Sequence, residues 1–129
     1  MSIAHYKDVS LSTDINSATP HRLIQMLYEG ALSKLAQAKG AIERKEHEKR
    51  SEFITKAIAI TLELSRSLNQ EKGGELSENL NDLYQYMRSQ LMEANASNNV
   101  DKVDEVIALL LELKEAWDQV PLELRGNPS

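Results

Sequence analysis

The chain has 129 residues, enough for one hydrophobic core and too few for two domains of ordinary size. Apolar residues make up 41% and charged residues 27%, the balance of a globular chain rather than a disordered or membrane-embedded one. A net charge of −5, with no Arg or Lys cluster interleaved with aromatics, argues against nucleic acid as a partner, and the lack of cysteine excludes disulfides and thiolate metal sites.

Residues 1–18 are polar but punctuated by Ile3, Tyr6, Val9, Leu11 and Ile15. Two readings stand: a frayed terminus, or a flexible segment whose apolar side chains dock on the rest of the molecule. The opening residues show no apolar stretch of signal-peptide type, and no later apolar run reaches the roughly 20 residues of a membrane span. A cytoplasmic protein without membrane insertion is expected.

Thr19-Pro20 is a helix start, since Thr can accept a bond from a free first-turn N–H and Pro at the first helical position loses nothing. Ile24, Tyr28, Ala31, Leu35, Ala38 and Ile42 then follow at alternating spacings of four and three, a heptad seam. The stretch 43–52 has no apolar residue, so the buried stripe cannot cross it and a reversal falls there. The second helix carries two stripes, Phe53, Ala57, Ile60 and Leu64, and Ile54, Ile58 and Leu62, with Leu68 near its end. Gly73-Gly74 is expected to break it, because Gly takes the left-handed position after a helix without steric cost.

The third helix reads Leu76, Leu80, Leu83, Met87, Leu91 and Ala94, with Tyr84 and Tyr86 beside the seam, and runs into the polar cluster 95–99. The fourth has Val103, Val106, Leu110, Leu113 and Trp117, and Pro121 closes it. Four helices of about 20 residues joined by short connections must lie antiparallel to their neighbours. The expected fold is all-α: an antiparallel up-down-up-down four-helix bundle over 19–121, preceded by the segment 1–18 and followed by a loose tail over 122–129.

The chemistry-bearing residues are sparse. His5, His21 and His47 fall in the tail, a first turn and a charged connection, and Glu43 with His47 supplies only two groups at i and i+4, fewer than a metal site needs. A di-iron bundle would need Glu-x-x-His pairs, and Arg44 stands where the Glu before His47 should be. A phosphorelay bundle needs only one surface His, but the residues after His21 and His47 do not match its His-x-x-Lys-Gly pattern. No phosphate loop, nucleophile elbow or zinc-protease motif is present, so neither enzyme chemistry nor a cofactor is expected.

The charge is uneven. Residues 1–50 carry eight basic and six acidic groups, residues 97–129 three and seven, which reads as a dipolar surface. What remains is surplus apolar area: the second and fourth helices have more than one stripe, and area left over after the core is filled can form a groove for a partner helix. Wide stripes on central helices are, however, normally core.

Gln70-Glu71-Lys72-Gly73-Gly74-Glu75-Leu76, with Asn79-Leu80, Leu83-Tyr84, Tyr86-Met87 and Ala94-Asn95, resembles the FliS family of flagellin export chaperones. Tyr6-x-x-Val9, Thr19-Pro20-x-x-Leu23-Ile24-x-Met26-Leu27-Tyr28-x-Gly30-Ala31, Lys56-Ala57-Ile58 and Glu115-Ala116-Trp117 fit the same pattern in order. The resemblance implies a cytoplasmic chaperone that binds the C-terminal segment of flagellin, blocks its premature polymerisation and aids its delivery to the flagellar type III export apparatus. A co-chaperone or a flagellar regulator is a further partner the resemblance leaves open. It implies that Ile3, Tyr6 and Val9 cover part of the client groove in the free protein. The client groove is expected at Ile54, Ile58 and Leu62 of the second helix and Asn79, Tyr84, Tyr86, Met87 and Asn95 of the third, with Tyr84 and Met87 equally able to serve as core.

Overall fold

A computed structural model describes residues 19–68 and 70–120, with only the backbone described at 70–72. Four helices account for nearly all of them: α1 (Pro20–Glu43), α2 (His47–Arg66), α3 (Gln70–Ser97) and α4 (Val100–Asp118). Each packs on its neighbours in the chain, and α4 closes the ring against α1. Side-chain pairs fix the directions. Arg50 meets Asn95 while Arg88 meets Ser65, so α2 and α3 run oppositely. Gln25 meets Asp118 while Lys39 meets Asp104, so α1 and α4 do too. The up-down-up-down bundle expected from the sequence is the fold.

The helix ends follow local chemistry. Thr19 caps α1, its Oγ1 accepting from the Arg22 amide at 3.1 Å, with Pro20 as the first helical residue. At the other end Lys45 takes the left-handed conformation (φ 57°), and the amides of Glu46 and Lys45 donate back to the carbonyls of Ala41 and Ile42. These two bonds satisfy carbonyls that a helix end leaves open, so three residues suffice to reverse the chain although none is Gly or Pro. Asn98 (φ 54°) repeats the device after α3, where the Asn99 amide donates to the Ala94 carbonyl.

Between α2 and α3 the structure differs from expectation. The helix α2 stops at Arg66, well before the glycine pair, and a short helical segment from Gln70 leads into the long body of α3. Gly74 is the joint, with φ 53° and ψ −129°, a combination open only to Gly. Gly73 is held to its size as well: a Cβ there would lie 1.7 Å from Ser77 Oγ.

The core is a single cluster running the length of the bundle. The α1 seam contributes Tyr28, Ala31, Leu35, Ala38 and Ile42, and α4 contributes Val103, Val106 and Leu110, as their spacings require. On α2 the buried line is Ile54, Ala57, Thr61 and Leu64, so neither apolar stripe read from the sequence is the buried one. Thr61 completes the line because its hydroxyl donates to the Ile58 carbonyl at 2.7 Å, which lets a polar residue be buried without an orphaned group. Leu76, expected in the α3 seam, is 66% exposed, since it sits just past the Gly74 joint, where the bundle ends. No buried side-chain nitrogen or oxygen among the described residues lacks a partner.

Candidate functional site

Among the described residues, two apolar surfaces outside the core bear on binding. The first is a cleft of about 530 Å³ at the bundle end formed by the start of α1 and the close of α2 and α4. Its walls are Leu23, Ile24, Met26 and Leu27 of α1 and Trp117 of α4, with Glu63 and Arg66 of α2 on the rim. The wall at Trp117 is held rigidly. The indole stacks on His21 with ring centroids 4.8 Å apart, and its Nε1–H donates to the His21 carbonyl while His21 Nε2 donates to the Trp117 carbonyl. This reciprocal clasp ties the first turn of α1 to the last turn of α4, and Gln25 adds a bond to Asp118 at 2.7 Å.

The second surface is the outer furrow between α2 and α3. Leu62 is 38% exposed there on α2, with Ile58 one turn earlier and half-buried. Arg88 of α3 reaches across, donating to the Thr61 carbonyl and to Ser65 Oγ, both at 3.1 Å. Its partial withdrawal from water lowers the guanidinium pKa. Met92, one turn beyond Arg88 on α3, is 59% exposed. Leu62 and Met92 are thus exposed apolar side chains on adjacent helices, and Met is an adaptable contact residue.

The residues expected to line a client groove are distributed over four environments. Ile54, Tyr84 and Met87 are in the core and face no groove, because the α2 and α3 seams use them for helix packing. Ile58 and Leu62 share the outer α2 face. Tyr86 and Asn79 lie seven residues apart on α3 and are exposed, but Tyr86 faces α4, where its hydroxyl donates to Glu105 at 2.6 Å. That bond raises the Tyr86 pKa and, with the Gln90 amide, lowers that of Glu105. Asn95 is a tie between helices: its carbonyl oxygen accepts from Arg50 Nε and Ser51 Oγ of α2. The cover residues Ile3, Tyr6 and Val9 lie outside the described residues.

The structure adds surfaces that the sequence reading did not single out. Met92 carried a signal, since a Met on an otherwise polar helix face has no packing reason to be there. The end cleft carried another in the dense apolar run Leu23-Ile24, Met26-Leu27. Arg88 carried none, because its value lies in reaching another helix.

Among the described residues no three His, Asp or Glu side chains converge as a metal site would require, and no helix is long and apolar enough to cross a membrane. Among the described residues, a closed core without unsatisfied buried side-chain polar atoms, and apolar surface left outside it, place the chain in the class of antiparallel helical bundles without a metal-type or catalytic constellation.

Comparison with known proteins gives the particular family. The family model for Flagellar protein FliS matches residues 2–123. Flagellar secretion chaperone FliSB of Pseudomonas aeruginosa is 49% identical over 115 residues, covering 89% of this chain and 91% of that protein. Flagellar secretion chaperones FliS of Salmonella typhimurium and Vibrio cholerae are 41% and 38% identical, over 92% and 95% of this chain and 88% and 90% of theirs. The chain belongs to the FliS family, and an export-chaperone role without enzymatic activity follows from that membership.

Proposed function

We propose that the chain binds the C-terminal segment of newly made flagellin in the cytoplasm, keeps it from polymerising and helps deliver it to the flagellar type III export apparatus. The observation that carries this reading is the exposure of Leu62 on α2 and Met92 on α3, with half-buried Ile58 one turn before Leu62, on a chain of the FliS family. A flagellin helix laid along the furrow would bury these side chains at about 25 cal/mol per Å² of apolar surface, and Arg88 would supply a donor to its polar edge. The gain must exceed the entropy the segment loses on folding, so the contact has to be extensive. The end cleft extends the apolar area available. Within this proposal Ile3, Tyr6 and Val9 form a cover that competes with the client, and Asn79 and Tyr86 are second-face contacts. A co-chaperone or flagellar regulator would use surface the client leaves free.

Calorimetric titration with the C-terminal flagellin segment, alongside circular dichroism, tests the reading. One-to-one binding with a gain of helix is expected, weakened about tenfold or more by Leu62→Glu, a charge at an exposed position that leaves the bundle folded. Absence of binding by the folded protein would point to a different helical client.

A further inference from the structure

The first and last helices both meet the outer segments of the chain beside the end cleft. Thr19 precedes the wall residue Pro20, and Val120 follows shortly after the wall residue Trp117. The rim offers no free charge to an occupant, because Glu63 and Arg66 pair with each other at 2.6 Å. What the cleft offers is the apolar surface of Leu23, Ile24, Leu27 and the Trp117 indole. Its occupant is therefore selected by apolar side chains within reach.

The close of α4 delivers the chain to this wall. The amides of Gln119 and Val120 donate to the carbonyls of Ala116 and Trp117 at 3.3 and 3.1 Å, so the last turn tightens and the helix does not run on into solvent. Val120, just past the helix, is half-buried. Pro121 comes next. It cannot continue α4, and its missing N–H leaves one backbone donor fewer to satisfy against an apolar surface.

Residues 121–129 lie outside the described residues, but their order suits the cleft. Leu122-Glu123-Leu124-Arg125 alternates apolar and charged side chains, so in an extended strand both Leu face one side and both charges the other. At about 3.3 Å per residue, Leu122 lies within about 7 Å of Val120 and Leu124 within about 13 Å, enough to cross one helix of about 10 Å diameter. The segment before α1 is less suited at close range: Asn16, Ser17 and Ala18 separate its nearest large apolar side chain, Ile15, from the cleft. A tether this short holds Leu122 and Leu124 at an effective concentration of about millimolar, which a free partner would have to match.

We propose that residues 121–125 of this chain occupy the end cleft, with Leu122 and Leu124 seated between α1 and Trp117 and with Glu123 and Arg125 toward solvent. Seated there, the tail shields apolar surface from non-specific contacts. A polypeptide that uses the cleft must displace the tail, so its apparent affinity is scaled down to the fraction of time the cleft is open. The inference does not rest on the identity of the client.

Trp117 is the sole Trp of the chain, so its fluorescence reads the cleft directly. In the full chain the double variant Leu122→Asp, Leu124→Asp is expected to shift Trp117 emission to longer wavelength and to expose it to quenching by acrylamide, with the helical circular dichroism unchanged. The chain has no cysteine, which permits a second reading by single thiols. Normalised to its rate in urea, the thiol introduced by Leu124→Cys is expected to react with a maleimide roughly tenfold more slowly than that introduced by Glu123→Cys, because only the former is withdrawn while the tail is seated. Unchanged emission in the double variant, or equal normalised rates at the two thiols, overturns the proposal. An emission shift in Leu11→Asp, Ile15→Asp with none in the tail variant would assign the cleft to residues 1–18 instead. If emission responds to protein concentration rather than to the tail variant, with dimers in sedimentation, a second copy of the chain fills the cleft and the proposal fails.

Discussion

Tyr28 and Tyr84 meet hydroxyl to hydroxyl at 2.6 Å inside an otherwise aliphatic core. Burial raises the pKa of both, and for Tyr84 the neighbouring Tyr28 pushes the same way. A folded-state pKa above the unfolded one means the unfolded chain ionises first. The stabilising effect is therefore complete below about pH 10 and is lost as pH rises beyond it. Tyr28→Phe leaves the Tyr84 hydroxyl unpaired and is expected to cost about 1–3 kcal/mol at pH 8 by urea denaturation. The fall in midpoint between about pH 8 and about pH 11 should be smaller in the variant than in wild type, since one titrating hydroxyl is gone. The pair was half legible in the sequence: Tyr28 falls on the α1 seam, whereas Tyr84 stands beside the seam of α3 and reads equally well as a surface contact. Thr61 was not legible, because apolar periodicity cannot register a hydroxyl that satisfies itself on its own helix.

The helices themselves were readable from spacing, and their joints only in part. Thr19-Pro20 and the polar cluster 95–99 were correctly read as ends, since caps and turns use recognisable residues. The end of α2 was misplaced by several residues because the glycine pair is a joint within the next helical segment. Backbone energetics separate the two kinds of joint. Gly74→Ala forces a side chain into a conformation L-residues avoid and is expected to cost about 1–3 kcal/mol in thermal or urea unfolding. Lys45→Gly relieves a similar but milder strain and is expected to stabilise the bundle by about 0.5–1 kcal/mol. A destabilising Lys45→Gly would show that its aliphatic stem contributes packing that outweighs the backbone term.

At the scale of the whole molecule, polar ties near both ends hold the ring of helices closed. The His21–Trp117 clasp joins α1 to α4, and the Arg50, Ser51 and Asn95 cluster joins α2 to α3. Three surface carboxylates share a further property. Bonds from Arg44 to Glu46, from Tyr86 and Gln90 to Glu105, and from Lys114 and Gln25 to Asp118 lower each pKa. Carboxyls depressed in the fold favour the native state above the ordinary carboxylate range, and that contribution is lost as pH falls through their folded values. The urea midpoint of wild type should therefore drop below about pH 4. The triple variant Glu46→Gln, Glu105→Gln and Asp118→Asn should start lower at pH 7 and fall less steeply. Parallel curves would show that other groups dominate acid unfolding.

The division between sequence and structure follows from the range of the physics involved. Heptad spacing, caps and the shortness of the connections are local, and by themselves they determined four antiparallel helices, most of the α1 and α4 core and, through ordered motifs, the family. Which line along α2 is buried depends on where α1 and α3 lie, so the parting of Ile54 inside from Leu62 outside, within one apolar stripe, was decided only by packing. The same holds for Asn95, whose partners are 44 and 45 residues away, and for Arg88, which acts on another helix. The apolar clefts are properties of pairs and triplets of helices, and no single stretch of sequence contains them.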